Sequence, residues 1–255
     1  MEIGLLAGLA RGVKLGGADP VGVLAGHNAP LTTDWTDFHN LAPKCYHIIL
    51  IMQVDVIFSI LVLIMSVVIH EVAHGAVAGL LGDPTARLAG RLTLNPLKHL
   101  DLFGSVILPA GMALLGGPVF GWAKPVPYNP YNLKVAWGEA AVAAAGPTSN
   151  LLIALLFSAL FRLGLVNSWF GEGAISLVLS IVFINIILAV FNLIPVPPLD
   201  GSKILFNILP HRLRFIETWF NQYQIFFIIL VVFFVGAIIT PIASFIFTLL
   251  TGLAG

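Results

Sequence analysis

The stretch Ile64-Met65-Ser66-Val67-Val68-Ile69-His70-Glu71-Val72-Ala73-His74-Gly75 decides how the chain is read. It closes an apolar run in which residues 56–69 carry no charge. A run of this length and composition predicts a helix at membrane depth. On such a helix His70 and His74, four residues apart, present their imidazoles on one face, one turn apart. That spacing lets both hold one metal ion. Glu71 lies between them and is placed to act on a water at that ion without being a ligand. Ionisable groups in a membrane are costly and mark function, so a histidine pair that merely satisfies helix packing is the weaker reading.

Composition agrees. The 255 residues are 58% hydrophobic and 9% charged, with a mean hydropathy of +1.00, against about 25% charged residues in soluble domains. Such a chain belongs in a lipid bilayer. Its formal net charge of zero gives no reason to expect nucleic acid. Cys45, the single cysteine, excludes an intramolecular disulfide and any cysteine-based rival metal site.

Working outward, residues 1–46 read as an N-terminal leader, on the surface or associated with the membrane. The apolar stretch 3–10 is too short, and its charges fall on the wrong side, for a secretory signal. The first span covers residues 48–81, its buried part beginning near Val56, and Gly82-Asp83-Pro84 ends it. Residues 87–94 alternate polar with small or apolar side chains around Gly90, which predicts a short β-hairpin. Residues 102–123 are uncharged but broken by Pro109, Gly116, Gly117 and Pro118. They predict a re-entrant or surface-lying segment. Further spans are expected at 140–161, at 173–199 and at 225–250, the last kinked at Pro241. The expected fold is an all-α polytopic membrane protein with about four full spans, divided into the leader, a core over 47–215 and a C-terminal transmembrane helix over 216–255.

Two histidines leave a catalytic zinc site one protein ligand short. The carboxylates near the apolar spans, Glu71 aside, are Asp55, Glu139 and Asp200. Asp200 is favoured because Pro195, Pro197 and Pro198 unwind the chain before it, and such a break needs a protein-lined or watery surrounding. A helix cap at the membrane surface is its plainer role. Asn150 is divided evenly between packing and the site.

Together, His70-Glu71-Val72-Ala73-His74 and Asn192-Leu193-Ile194-Pro195-Val196-Pro197-Pro198-Leu199-Asp200-Gly201 resemble the site-2 protease family of intramembrane zinc metalloproteases. The second run looks like that family's N-x-x-P-x-P-x-L-D-G motif, and Gly146-Pro147 matches its habit in the intervening span. Residues 82–96 and Gly121-Trp122-Ala123-Lys124-Pro125 look like the compact prokaryotic branch, without PDZ or CBS domains. The resemblance implies one Zn2+ held by His70, His74 and Asp200, Glu71 as catalytic base, and Asn192 assisting catalysis. For Asn192 an interhelical hydrogen bond is nearly as good an account. The implied substrate is a membrane-spanning protein, and the implied location a prokaryotic cell membrane. The basic loops holding Arg87, Arg91 and Lys98, then Lys203, Arg212 and Arg214, put the active site nearer the cytoplasm. The rival functions are a membrane metal-ion transporter, which would be expected to show an internal repeat that is not found, and a non-catalytic scaffold.

Overall fold

The computed structural model describes residues 35–107, 111, 114, 123–171 and 173–253, with side chains described from residue 57. The chain falls into two compact units, residues 1–51 and 52–255. In the first, residues 35–51 are helical and begin α1 (Trp35–Leu80). The helix therefore starts well before the expected span, inside the stretch read as leader; residues 1–34 lie outside the described part. Everything that follows concerns the second unit.

Among the described residues three helices are long and apolar enough to cross a membrane: Ile57–Leu80 of α1, and the helices here numbered α3 (Gly138–Arg162) and α5 (Gly173–Asn192). Lipid offers the backbone no hydrogen bonds, so an apolar run there must satisfy them internally as helix. Large side chains such as Ile60, Leu61, Leu152 and Leu156 point outward, the reverse of a water-soluble fold. Between the helices the packing residues are small or branched: Ala154, Val182, Ile186 and Ala243 are fully buried together. Ala243 comes from α9 (Thr240–Thr251), which packs on α3 and α5.

The C-terminal stretch is helical throughout residues 224–251, with the helix changing type just before Pro241, where the kink is expected. It is three consecutive helical pieces, α8 (Gln224–Phe234), a wider π-helical segment Val235–Ile239, and α9. Pro241, near the start of α9, has no N–H to donate and crowds the carbonyl four residues back, so the preceding turn widens. Before it, α7 (Arg214–Gln222) is a separate amphipathic helix rather than the beginning of a span.

The predicted hairpin at residues 87–94 does not form; no strand occurs among the described residues. Gly82, at φ 111°, closes α1, with Asp83 N–H returning to the Ala78 carbonyl at 2.9 Å. The fully buried Asp83 carboxylate then accepts from Thr85 N–H and Thr85 Oγ1, starting the short turn α2 (Thr85–Leu88) instead of a strand. Beyond it, side chains do what a partner strand would have done. Arg91 donates to the carbonyls of Lys98, Lys124 and Pro125, and His99 Nε2 donates to the Thr93 carbonyl at 2.9 Å. Residues 102–107 are π-helical, but most of the rest of 102–123 lies outside the described residues, so the re-entrant segment is not described. The remaining helices are α4 (Leu165–Phe170) and α6 (Asp200–Ile208).

Candidate active site

His70 and His74 lie near the C-terminal end of α1, buried and edge-to-face, with ring centroids 4.7 Å apart. Their outer nitrogens are both claimed by α3. His70 Nδ1 is 2.7 Å from Asn150 Oδ1, and His74 Nδ1 is 2.6 Å from the Val142 carbonyl oxygen. A carbonyl can only accept, so His74 Nδ1 carries the proton. The Asn150 amide nitrogen donates to Asn185 Oδ1 at 2.9 Å, so Asn150 also turns its oxygen to its histidine, and His70 Nδ1 is the donor. In the neutral rings that metal ligation requires, both Nε2 atoms are then the lone-pair nitrogens.

Those lone pairs meet a carboxylate. Asp200 Oδ2 lies 3.0 Å from His70 Nε2 and 3.2 Å from His74 Nε2. A proton on an imidazole can bridge these atoms, and with both rings neutral a divalent cation takes its place among three converging donors. Four ligands about 2.05 Å from zinc stand roughly 3.3 Å apart in a tetrahedron, close to the spacing found. The donor set fits zinc, and the second bonds to Asn150 and Val142 fix each ring as metal-binding histidines require. His70, Glu71 and His74 also form a set with ligand atoms within 4.8 Å of one another.

The positions follow from local sequence. Val142, Gly146 and Asn150 recur at four-residue intervals, making one stripe on α3: carbonyl, gap, amide. Gly146 is the gap, because a Cβ there would lie 2.5 Å from His70 Nε2 and 2.5 Å from His74 Nε2. Pro147 has no N–H to give the Ala143 carbonyl in the preceding turn, one residue after the Val142 carbonyl that bonds His74. Asp200 is the first residue of α6, after the proline-rich break. Gly201 beside it packs so closely on the Leu193 and Ile194 carbonyls that any side chain would collide with backbone.

Glu71 accepts from Val126 N–H at 2.8 Å through Oε2. It faces a cavity of about 690 Å3 that also includes His70, His74, Asp200, Asn192 and Lys203 in its wall. Asn192 donates through Nδ2 to the Leu188 carbonyl of its own helix at 2.9 Å, not across to another helix. Glu139 lines the same cavity and accepts from the Tyr128 hydroxyl at 3.4 Å. Burial and the Glu139 charge push the Tyr128 phenol well above its usual range, so it remains a donor. Lys203 Nζ stands over the Tyr128 ring, 5.2 Å from its centre. The Asp55 side chain lies outside the described residues.

Sequence reasoning missed Ser66 and Asn185. Asn185 Nδ2 donates to Ser66 Oγ at 3.0 Å and to the Ile181 carbonyl at 2.9 Å, completing a buried chain from α1 through α5 to Asn150 and His70. The available signal was Asn185 itself, an amide alone among apolar neighbours in a span. Asn150, left open by sequence, is the link that orients His70.

A buried donor set of this kind, between apolar helices and beside a separate carboxylate, defines a helical membrane protein with a candidate metal-dependent hydrolytic centre. Comparison with known proteins gives the particular family. The chain belongs to peptidase family M50, the site-2 protease family, whose family model matches residues 58–235. It is 38% identical over 197 residues to YwhC of Bacillus subtilis, provisionally named a zinc metalloprotease, covering 74% of this chain and 83% of that protein. It is 34% identical over 141 residues to Rip2 of Mycolicibacterium smegmatis, provisionally named likewise, covering 54% of this chain and 52% of that one. A third relative, MJ0611 of Methanocaldococcus jannaschii, with the same provisional description, is 30% identical over 161 residues, or 58% of this chain and 72% of its own length. The chain thus spans about half of Rip2 but most of YwhC. No solved structure matches it.

Proposed function

We propose that this chain is an intramembrane zinc metalloendopeptidase that hydrolyses peptide bonds of membrane-spanning proteins. The observation that carries the reading is the convergence of the two Nε2 atoms on Asp200 Oδ2, beside Glu71, in a cavity bounded by apolar helices. His70, His74 and Asp200 would hold one zinc ion. Bound there, zinc would supply Lewis acidity to a water and to the scissile carbonyl. Glu71 accepts the proton of the attacking water and returns it to the leaving amide nitrogen. Val126 N–H holds Oε2 of that carboxylate, which leaves Oε1 to carry the proton. Asn192 lines the cavity, and one of its two amide hydrogens is taken by Leu188. Its second hydrogen is the candidate donor to the developing oxyanion.

A helical substrate has its carbonyls bonded internally and must unwind before one reaches Glu71. The cavity, at about 690 Å3, is in the range that encloses a small ligand, room for a short extended segment. The basic loops support a cytoplasmic location for this chemistry, in the prokaryotic cell membrane that the reading proposes.

The test is Glu71→Gln, which keeps size but cannot accept the proton. Zinc determined on the purified variant should stay near one per chain, while cleavage of a membrane-spanning test substrate falls by at least about 10²-fold. Near-normal cleavage with zinc bound would refute the mechanism. Loss of zinc would make Glu71 a ligand.

A further inference from the structure

The helix α7 has its faces reversed relative to a water-soluble fold. Glu217, Asn221 and the following Gln224, spaced by four and three residues, share one side of the helix and contribute to the rim of the active-site cavity, Glu217 half-buried and the two amides still exposed. The opposite face is aromatic and uncovered: Phe215 is 67% exposed, Trp219 50% and Tyr223 46%. In a soluble domain the aromatic face would be the buried one. A helix that presents three aromatic side chains outward, opposite a side whose carboxylate and amides rim a cavity, suits a medium outside that is less polar than water.

From this arrangement we infer that α7 lies in the membrane interface, with Phe215, Trp219 and Tyr223 seated among lipid headgroups and upper acyl chains, and forms a lipid-supported wall of the active-site cavity. Three further observations select lipid as the occupant. Tyr223 is the only residue between α7 and the apolar helix α8, so the aromatic face runs directly into a surface that lipid must cover. Tryptophan and tyrosine are the residues enriched at that depth. Arg212, exposed just before α7, is placed for anionic headgroups. The helix is also pinned at this position rather than hanging free. Phe220 stacks on Phe227 of α8 at 4.6 Å and meets Phe206 of α6 edge-on at 6.2 Å, and α6 is the helix that begins with Asp200.

The consequence for function rests on the peptidase reading: the bilayer itself positions Glu217 and Asn221 at the cavity that receives the substrate. The placement does not rest on that reading and can be tested without any catalysis. In a Cys45→Ala background, single cysteines replace Phe215, Trp219, Glu217 and Asn221 in the full chain. Each is spin-labelled and reconstituted into vesicles of phosphatidylcholine with phosphatidylglycerol. Collision with oxygen, which concentrates in lipid, is compared with collision with a water-soluble nickel chelate. Labels at 215 and 219 should favour oxygen, and labels at 217 and 221 should favour nickel. Nickel preference at 215 and 219 would place the aromatic face in water and overturn the inference. Low collision with both reagents there would mean that a protein surface covers it, and would overturn it equally. The two positions on each face make the same comparison separately, so a single misfolded variant does not remove the test.

Discussion

Replacing Gly146 by alanine puts the geometry of the centre to its hardest test. The new Cβ would lie 2.5 Å from the Nε2 atoms of both His70 and His74, where ordinary contact needs about 3.5 Å. About 1 Å must therefore be found, and neither side can yield it freely. The imidazoles are tied to the helix that carries residue 146, by bonds of 2.7 Å to Asn150 and 2.6 Å to Val142. Withdrawing α3 by about 1 Å would stretch both bonds past hydrogen-bonding reach. Losing one such outer partner typically weakens metal binding about 10–100-fold; losing both should weaken it about 10²–10⁴-fold. Alanine favours a helix over glycine by about 0.5–1 kcal/mol, so loss of α3 itself would not explain the result. The assay is competition for zinc against a chromophoric chelator, with cleavage followed on the same preparations. Gly79→Ala is the control, since a Cβ at that position of α1 meets nothing within 4 Å, and it should bind zinc as the parent does. If Gly146→Ala bound zinc within about threefold of the parent and still cleaved, the assignment of these two histidines to a metal would be wrong.

Three other outcomes follow from the structure. Asn185→Leu, which removes the side-chain bridge between Ser66 Oγ and Asn150 and leaves Asn150 only its longer bond of 3.4 Å to the Ser66 carbonyl, should weaken zinc about 10–100-fold while Glu71 is untouched; unchanged affinity in the chelator titration would show that Asn185 is not needed to hold Asn150 against His70. Burial alone would raise the Asp83 carboxyl, but hydrogen bonds from Thr85, Asn132 and Asn129 N–H hold it below the ordinary carboxylate range. The bonded carboxylate therefore adds stability at pH values above its unfolded pKa near 3.8, and that stability is lost as pH falls through the lower folded value. Asp83→Asn should cost about 1–3 kcal/mol at neutral pH and flatten the acid limb, read by hydrogen exchange of residues 81–91 from pH 6 to pH 2. An equally steep acid limb in the variant would assign it to another group. Finally, accessibility tags at Lys98, Asn129 and Arg212 should all report the cytoplasmic face. Opposite labelling at Asn129 alone would mean that residues 102–123 cross the membrane.

What the sequence determined by itself was local in origin. In lipid a long charge-free run favours helix, which satisfies its own backbone, so the spans Ile57–Leu80, Gly138–Arg162 and Gly173–Asn192 needed no tertiary information, although the sequence predicts about four full spans. The interval between His70 and His74 put both on one face for the same reason, and the proline-rich break before Asp200 marked that carboxylate. Gly82 and Pro84 marked where α1 stops. Tertiary structure decided everything that joins distant residues. Asn150 stands 80 positions from His70, and Asp200 stands 130, so no periodicity could register that their atoms meet. The Val142 carbonyl and Val126 N–H are backbone groups, present at every residue except for the proline N–H, and only packing singles these two out for His74 and Glu71. The hairpin expected at 87–94 failed on the same ground. Alternation describes what a strand would bury if it had a partner, whereas here the buried Asp83 begins a helical turn and Arg91 and His99 bond the backbone carbonyls instead.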